Sequence, residues 1–126
     1  LVRDDIAESP GVGVEFSGAA RGALFACDIH HNGGPGIVVS DSAAPAIENN
    51  VVFENGLRPD SPLPGILLRS TDHVGVVRNI IAGNGAEALW LTAPDETLIE
   101  QNSFSFAGKP DGRPKFRIVS SRKGPP

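Results

Sequence analysis

Apolar residues along this chain come in short bursts that alternate with polar ones, and the bursts recur. Gly36-Ile37-Val38-Val39 returns as Gly65-Ile66-Leu67-Leu68; an asparagine follows each glycine by fourteen positions (Asn50, Asn79), and another comes five positions later (Asn55, Asn84). Moving 23 positions back from Gly36 reaches Gly13-Val14-Glu15-Phe16, then Cys27 and Asn32; moving 23 forward from Gly65 reaches Ala88-Leu89-Trp90-Leu91, then Asn102 and Ala107. Repetition at a fixed period is the mark of a stacked architecture. The step between the second and third repeats is 29, and its surplus falls in the Pro-rich segment Leu57 to Pro64, which is expected to be a loop insertion.

Superposing the repeats gathers the apolar positions into columns. Val14, Ile37, Ile66 and Leu89 form one, and Phe16, Val39, Leu68 and Leu91, two residues on, form the next; a period of two puts both on one face of a strand. Leu24, Ile47, Val76 and Ile99 form a third column, and Ile29, Val52, Ile81 and Phe104 a fourth, which makes three short strands per repeat. No single strand of this length buries a face alone, but stacking each repeat on the next at roughly 4.8 Å pairs every strand with its equivalent above and below. The expected fold is therefore all-β: a right-handed parallel β-helix of about four and a half 23-residue coils, with three parallel sheets around one narrow core. An antiparallel sandwich would not require like residues at a fixed offset, and no window shows the 3.6-residue period of a helix. The asparagines are expected at turns, where they tolerate positive φ and stack their amides along the axis.

Composition agrees with this picture and narrows it. The chain has 126 residues, 40% of them apolar, with 15 Gly and 11 Pro spread throughout, as one turn-rich domain over residues 1–126 requires. Net charge is −4 and the basic residues are scattered until Arg113, Lys115, Arg117, Arg122 and Lys123, so no basic stripe offers a nucleic-acid footprint. No apolar run approaches the roughly 20 residues of a membrane span, and no signal peptide is recognisable. Cys27 stands alone at an asparagine position and is expected to be a small core residue. Carried back once more, the register places Leu1, Asp4, Ile6 and Ser9 within a coil, and Phe116 and Ile118 alternate like the start of a further one before an irregular tail, 119–126. These coils are thus expected to be part of a longer stack, with the remaining coils of the parent chain as their first partner.

Gly-Ile-x-Val, then Ile-x-x-Asn, then Asn-x-Val/Ile-x-x-Asn resembles the repeats of the pectin-lyase-like superfamily, including NosD-like and other right-handed β-helix proteins, over roughly residues 1 to 118. The resemblance implies an extracellular or periplasmic protein whose faces contact polysaccharide. It equally implies, as the alternative, part of a polysaccharide lyase, glycoside hydrolase or epimerase whose full active site lies partly outside this chain. The fold alone does not choose between them. A copper-maturation role like that of NosD finds little support in a chain with one Cys and no Met.

Three columns of side chains could carry chemistry. Asp72-His73 falls over Asp95-Glu96 in the turn after the first strand, and Asp72, His73, Asp95 and Glu96 are the candidate catalytic residues, set against the plainer explanation of a solvated turn. Glu8, His31 and Glu54 stack one per coil, an arrangement that favours the charged imidazole and that a surface pairing accounts for. Val38, Leu67 and Trp90 continue outward from Glu15 on the first sheet as a candidate binding row, with Trp90 able to stack on a sugar ring, unless the 57–64 insertion covers them. His30 is given no role. No metal site is expected, no cofactor is evident, and Ca²⁺ is conceivable only by analogy with lyases.

Overall fold

A computed structural model of the chain describes residues 3–70, 73–86, 88–91, 97–104 and 116–118, with the backbone alone at 70, 97, 98, 104 and 116–118. Its described strands are β1 (Asp5–Ala7), β2 (Val14–Phe16), β3 (Ala23–Phe25), β4 (Asp28–His30), β5 (Ile37–Asp41), β6 (Ala46–Glu48) and β7 (Val51–Phe53). They continue with β8 (Ile66–Ser70), β9 (Val74–Val77), β10 (Ile80–Ala82), β11 (Leu89–Leu91), β12 (Thr97–Glu100), β13 (Ser103–Phe104) and β14 (Phe116–Ile118). No helix occurs among the described residues.

Every third strand shares a sheet. The orders are β1-β4-β7-β10-β13, β14-β11-β8-β5-β2 and β12-β9-β6-β3. All pairings are parallel, and their registers follow the repeat: Val14 pairs with Ile37, Ile37 with Ile66, and Ile66 with Leu89. Leu24–Ile47–Val76–Ile99 and Ile6–Ile29–Val52–Ile81–Phe104 line up in the same way. The fold is thus the all-β right-handed parallel β-helix that the periodicity predicts. Leu89 pairs with Phe116, 27 positions on, so the last step is again longer than 23, with its extra length in the segment after Phe104.

Inward-facing columns form one continuous core. Leu24, Ile29, Ile37, Val39, Ile47, Val52, Ile66, Val76, Ile81 and Leu89 are all fully buried. Burial of such a side chain contributes about 1.5–3 kcal/mol before chain entropy is subtracted, and the stack repeats it coil after coil.

Two polar ladders run along the corners. Asn79 Oδ1 accepts from the Asn50 backbone N–H (2.9 Å) and from Asn50 Nδ2 (3.0 Å), while Asn79 Nδ2 donates to Ile47 O (2.9 Å) and Asn102 Oδ1 (3.0 Å). Two donors and two acceptor sites are all that an amide has, and all four are used. Asn32, Asn55 and Asn84 form the second ladder with the same bonding, Asn32 Nδ2 to Asn55 Oδ1 at 2.9 Å and Asn55 Nδ2 to Asn84 Oδ1 at 3.0 Å. Cys27, buried and unpaired, takes the ladder place in its coil and gives its backbone N–H to Asn50 Oδ1.

One part of the expected turn chemistry is corrected. The left-handed backbone belongs not to the ladder asparagines but to the residue before each: Ala26, Asn49, Arg78 and Gln101 at one corner, Glu8, His31, Glu54 and Gly83 at the other, with φ between 55° and 65°. The asparagine must instead aim its amide along the axis into the wall of the core, and the preceding residue absorbs the bend. The repeated glycine has a related cause. A Cβ on Gly65 would lie 2.7 Å from Asn84 Nδ2 and 2.9 Å from Ile81 Cγ2, so the ladder amide occupies the space a side chain needs.

The insertion is also narrower than expected. Ala86 N–H donates to Leu63 O and Gly85 N–H to Asn55 O, which keeps Leu63 and Pro64 within the coil; Leu57 to Pro62, six residues, bulge outward.

Candidate functional site

At the corner after β4 and β7, the structure brings four titratable side chains into one hydrogen-bonded line. His30 Nε2 lies 2.7 Å from Asp5 Oδ1, His30 Nδ1 lies 2.6 Å from His31 Nδ1, and His31 Nε2 lies 2.8 Å from Glu54 Oε1. The line crosses three successive coils, since Asp5 is on β1, His30 on β4 and Glu54 just past β7.

Local backbone explains how adjacent histidines meet. Successive strand residues point to opposite faces, but φ at His31 is 55°, and this left-handed residue breaks the alternation. The His30 ring is held on its other side by Phe53, its partner in the ladder, stacked at 4.6 Å with an interplanar angle of 5°. His31 meets both rings edge-on.

Beside this line is a cleft of about 230 Å³ walled by His31, Asn32, Gly33, Glu54, Leu57 and Arg58. Its outer wall is the insertion. Arg58 folds back across the corner, donating from Nε to Gly33 O (2.7 Å) and from Nη2 to Pro10 O (3.2 Å), so the loop is fastened to two earlier coils. Among the described residues Arg58 Nη1 takes no partner, and Leu57 is 54% exposed. The cleft therefore combines an apolar rim, a carboxylate, an imidazole and a fixed guanidinium.

The residues singled out from sequence fare differently. Of the turn candidates, His73 is exposed immediately before β9, while Asp72, Asp95 and Glu96 lie outside the described residues, as does the tail 119–126. In the expected Glu8–His31–Glu54 column, all three residues occupy the same corner, joined by backbone bonds from Glu8 N–H to His31 O and from His31 N–H to Glu54 O. The side-chain contact of that column is His31 with Glu54.

The binding row needs a correction. Glu15 is exposed and Leu67 and Trp90 are half-buried, but Val38, which pairs with Glu15 on one side and Leu67 on the other, is only 2% exposed and offers no contact surface. The anchors of the insertion lie at the Gly33 and Pro10 corner. His30, Asp5, Phe53 and Arg58 went unrecognised. The register does carry a signal for three of them: it puts Ala7, His30 and Phe53 in one row and Asp5 two residues before Ala7 on the same face. Arg58 carries none, because an insertion has no counterpart in other coils.

Among the described residues, no three His, Cys, Asp or Glu side chains converge as metal ligands, and no helix is long and apolar enough to cross a membrane. Comparison with curated proteins and with solved structures gives no match. The family model described as right handed beta helix region matches residues 1–104, in agreement with the three parallel sheets, and the chain belongs to that family.

Proposed function

We propose that this β-helix segment is a binding rod of an extracellular or periplasmic protein, and that it contacts carbohydrate at the corner cleft. The observation that carries this reading is Arg58, held by two backbone carbonyls in the wall of a cleft that it shares with His31, Glu54 and the exposed Leu57. Saccharides are bound by such mixtures of planar hydrogen-bonding groups with an apolar surface, and a pinned guanidinium loses little entropy when it binds. At about 230 Å³ the cleft is below the roughly 300–1,000 Å³ of small-molecule pockets. It suits one ring or substituent of a longer glycan whose remainder runs along the rod. The half-buried Trp90 and Leu67 on the β11 and β8 row offer a second contact surface of the same chemical kind.

The test is a panel of neutral and uronate-containing glycans, with retention and turnover scored separately. Retention without turnover is expected, weakened about ten-fold by Arg58→Ala, the cost of one charge-assisted hydrogen bond. Turnover that Asp72→Ala or Asp95→Ala abolishes would make the chain part of an enzyme instead.

A further inference from the structure

The Asp5–His30–His31–Glu54 line has more contacts than neutral histidines can satisfy. An ionised carboxylate only accepts, so His30 Nε2 facing Asp5 and His31 Nε2 facing Glu54 must both carry hydrogen. Were both rings neutral, their two Nδ1 lone pairs would confront each other across 2.6 Å. That distance suits one proton lying between them.

We propose that His30 and His31 share a single proton between their Nδ1 atoms, and that the line from Asp5 to Glu54 is a pH-operated clasp across three coils. The complete line holds three ring protons on four ring nitrogens, so the pair carries one positive charge between two carboxylates. With two ring protons one of the three contacts is lost. With four, two N–H donors face each other and the centre opens. The clasp is therefore closed only within a window of pH, and it opens at the His30–His31 contact when acid supplies the extra proton.

The surroundings fix where that opening acts. His30 is anchored by the Phe53 stack, so His31 is the ring free to swing, and it takes its contact with Glu54 along. The charged groups at this corner are Asp5 on β1, in contact with His30, Glu54 after β7, in contact with His31, Arg58 on the far wall of the cleft and, by backbone position, Glu8 one coil below and Asp28 on β4. Because His31 and Glu54 wall the cleft, opening reshapes it, yet the clasp itself does not depend on any ligand.

Imidazole ¹⁵N NMR of the 126-residue chain tests this directly. A coupling between the two Nδ1 nuclei through the shared proton is expected over a window of pH, together with three ring N–H per pair, and both are lost on acidification. At that point exchange of the Glu8 and His31 amides, whose acceptors are His31 O and Glu54 O, quickens about five-fold. His30→Phe retains an aromatic ring to stack on Phe53, and in it the acid step in amide exchange should vanish. Absence of the coupling at every pH, or an acid step that survives in His30→Phe, would overturn the proposal.

Discussion

Each corner of the stack is set by a pair of adjacent residues, an asparagine with a saturated amide and the left-handed residue before it. Asn79→Ala would strand the Asn50 N–H in a buried wall, take a donor from Ile47 O, and leave Asn50 Nδ2 with Leu24 O alone and Asn102 Oδ1 with the residue 79 N–H alone. It is expected to destabilise the fold by about 1–3 kcal/mol, read from the urea midpoint, because unmet buried polar groups cost that much. The preceding position has the opposite prospect. Ala26 is held at φ 59°, where an L-residue is strained by about 1–2 kcal/mol. Ala26→Gly removes that strain at some cost in chain entropy, and should raise stability by about 0.5–1 kcal/mol in the same assay. The ladder was legible in the sequence because asparagines recur at fixed offsets. The site of the strain was not, since Ala26, Asn49, Arg78 and Gln101 share no side-chain chemistry, only a backbone angle.

At the scale of elements, three-residue strands are stable because each is one rung of a ladder, and the connections can vary so long as the rungs stay in step. Leu57 to Pro62 leave the coil after Gly56 and return at Leu63, whose N–H turns to Gly56 O at 3.0 Å. Joining Gly56 directly to Leu63 would reproduce the Gly33-Gly34 and Gly85-Ala86 corners of the neighbouring coils. The shortened chain should keep its stability to within about 1 kcal/mol, since closing a short surface loop has a small entropic effect. It should also lose the glycan retention assigned to Arg58. A large fall in melting temperature would mean that the loop supports the core rather than the cleft. The registers around this insertion were readable from apolar columns on either side of it, whereas the meeting of His30 and His31 was not. Strand periodicity assigns adjacent residues to opposite faces, and only the left-handed turn at His31 reverses that.

For the whole molecule, burial and hydrogen bonding both run along one axis, so each coil is stabilised chiefly by its neighbours and the surface is organised into columns rather than a pocketed globule. Among the described residues the columns are interrupted at the insertion, with the cleft beside it. All of this rests on parallel stacking in the stated register, including the step of 29 across the insertion. The most direct measurement is detection of couplings through backbone hydrogen bonds by NMR. The structure predicts couplings from Val51 N–H to Cys27 C=O, from Ile80 N–H to Asn50 C=O and from Ser103 N–H to Asn79 C=O. Couplings that instead join neighbouring strands of one coil in antiparallel fashion, or none between these partners in a folded sample, would contradict the β-helix and everything built on it.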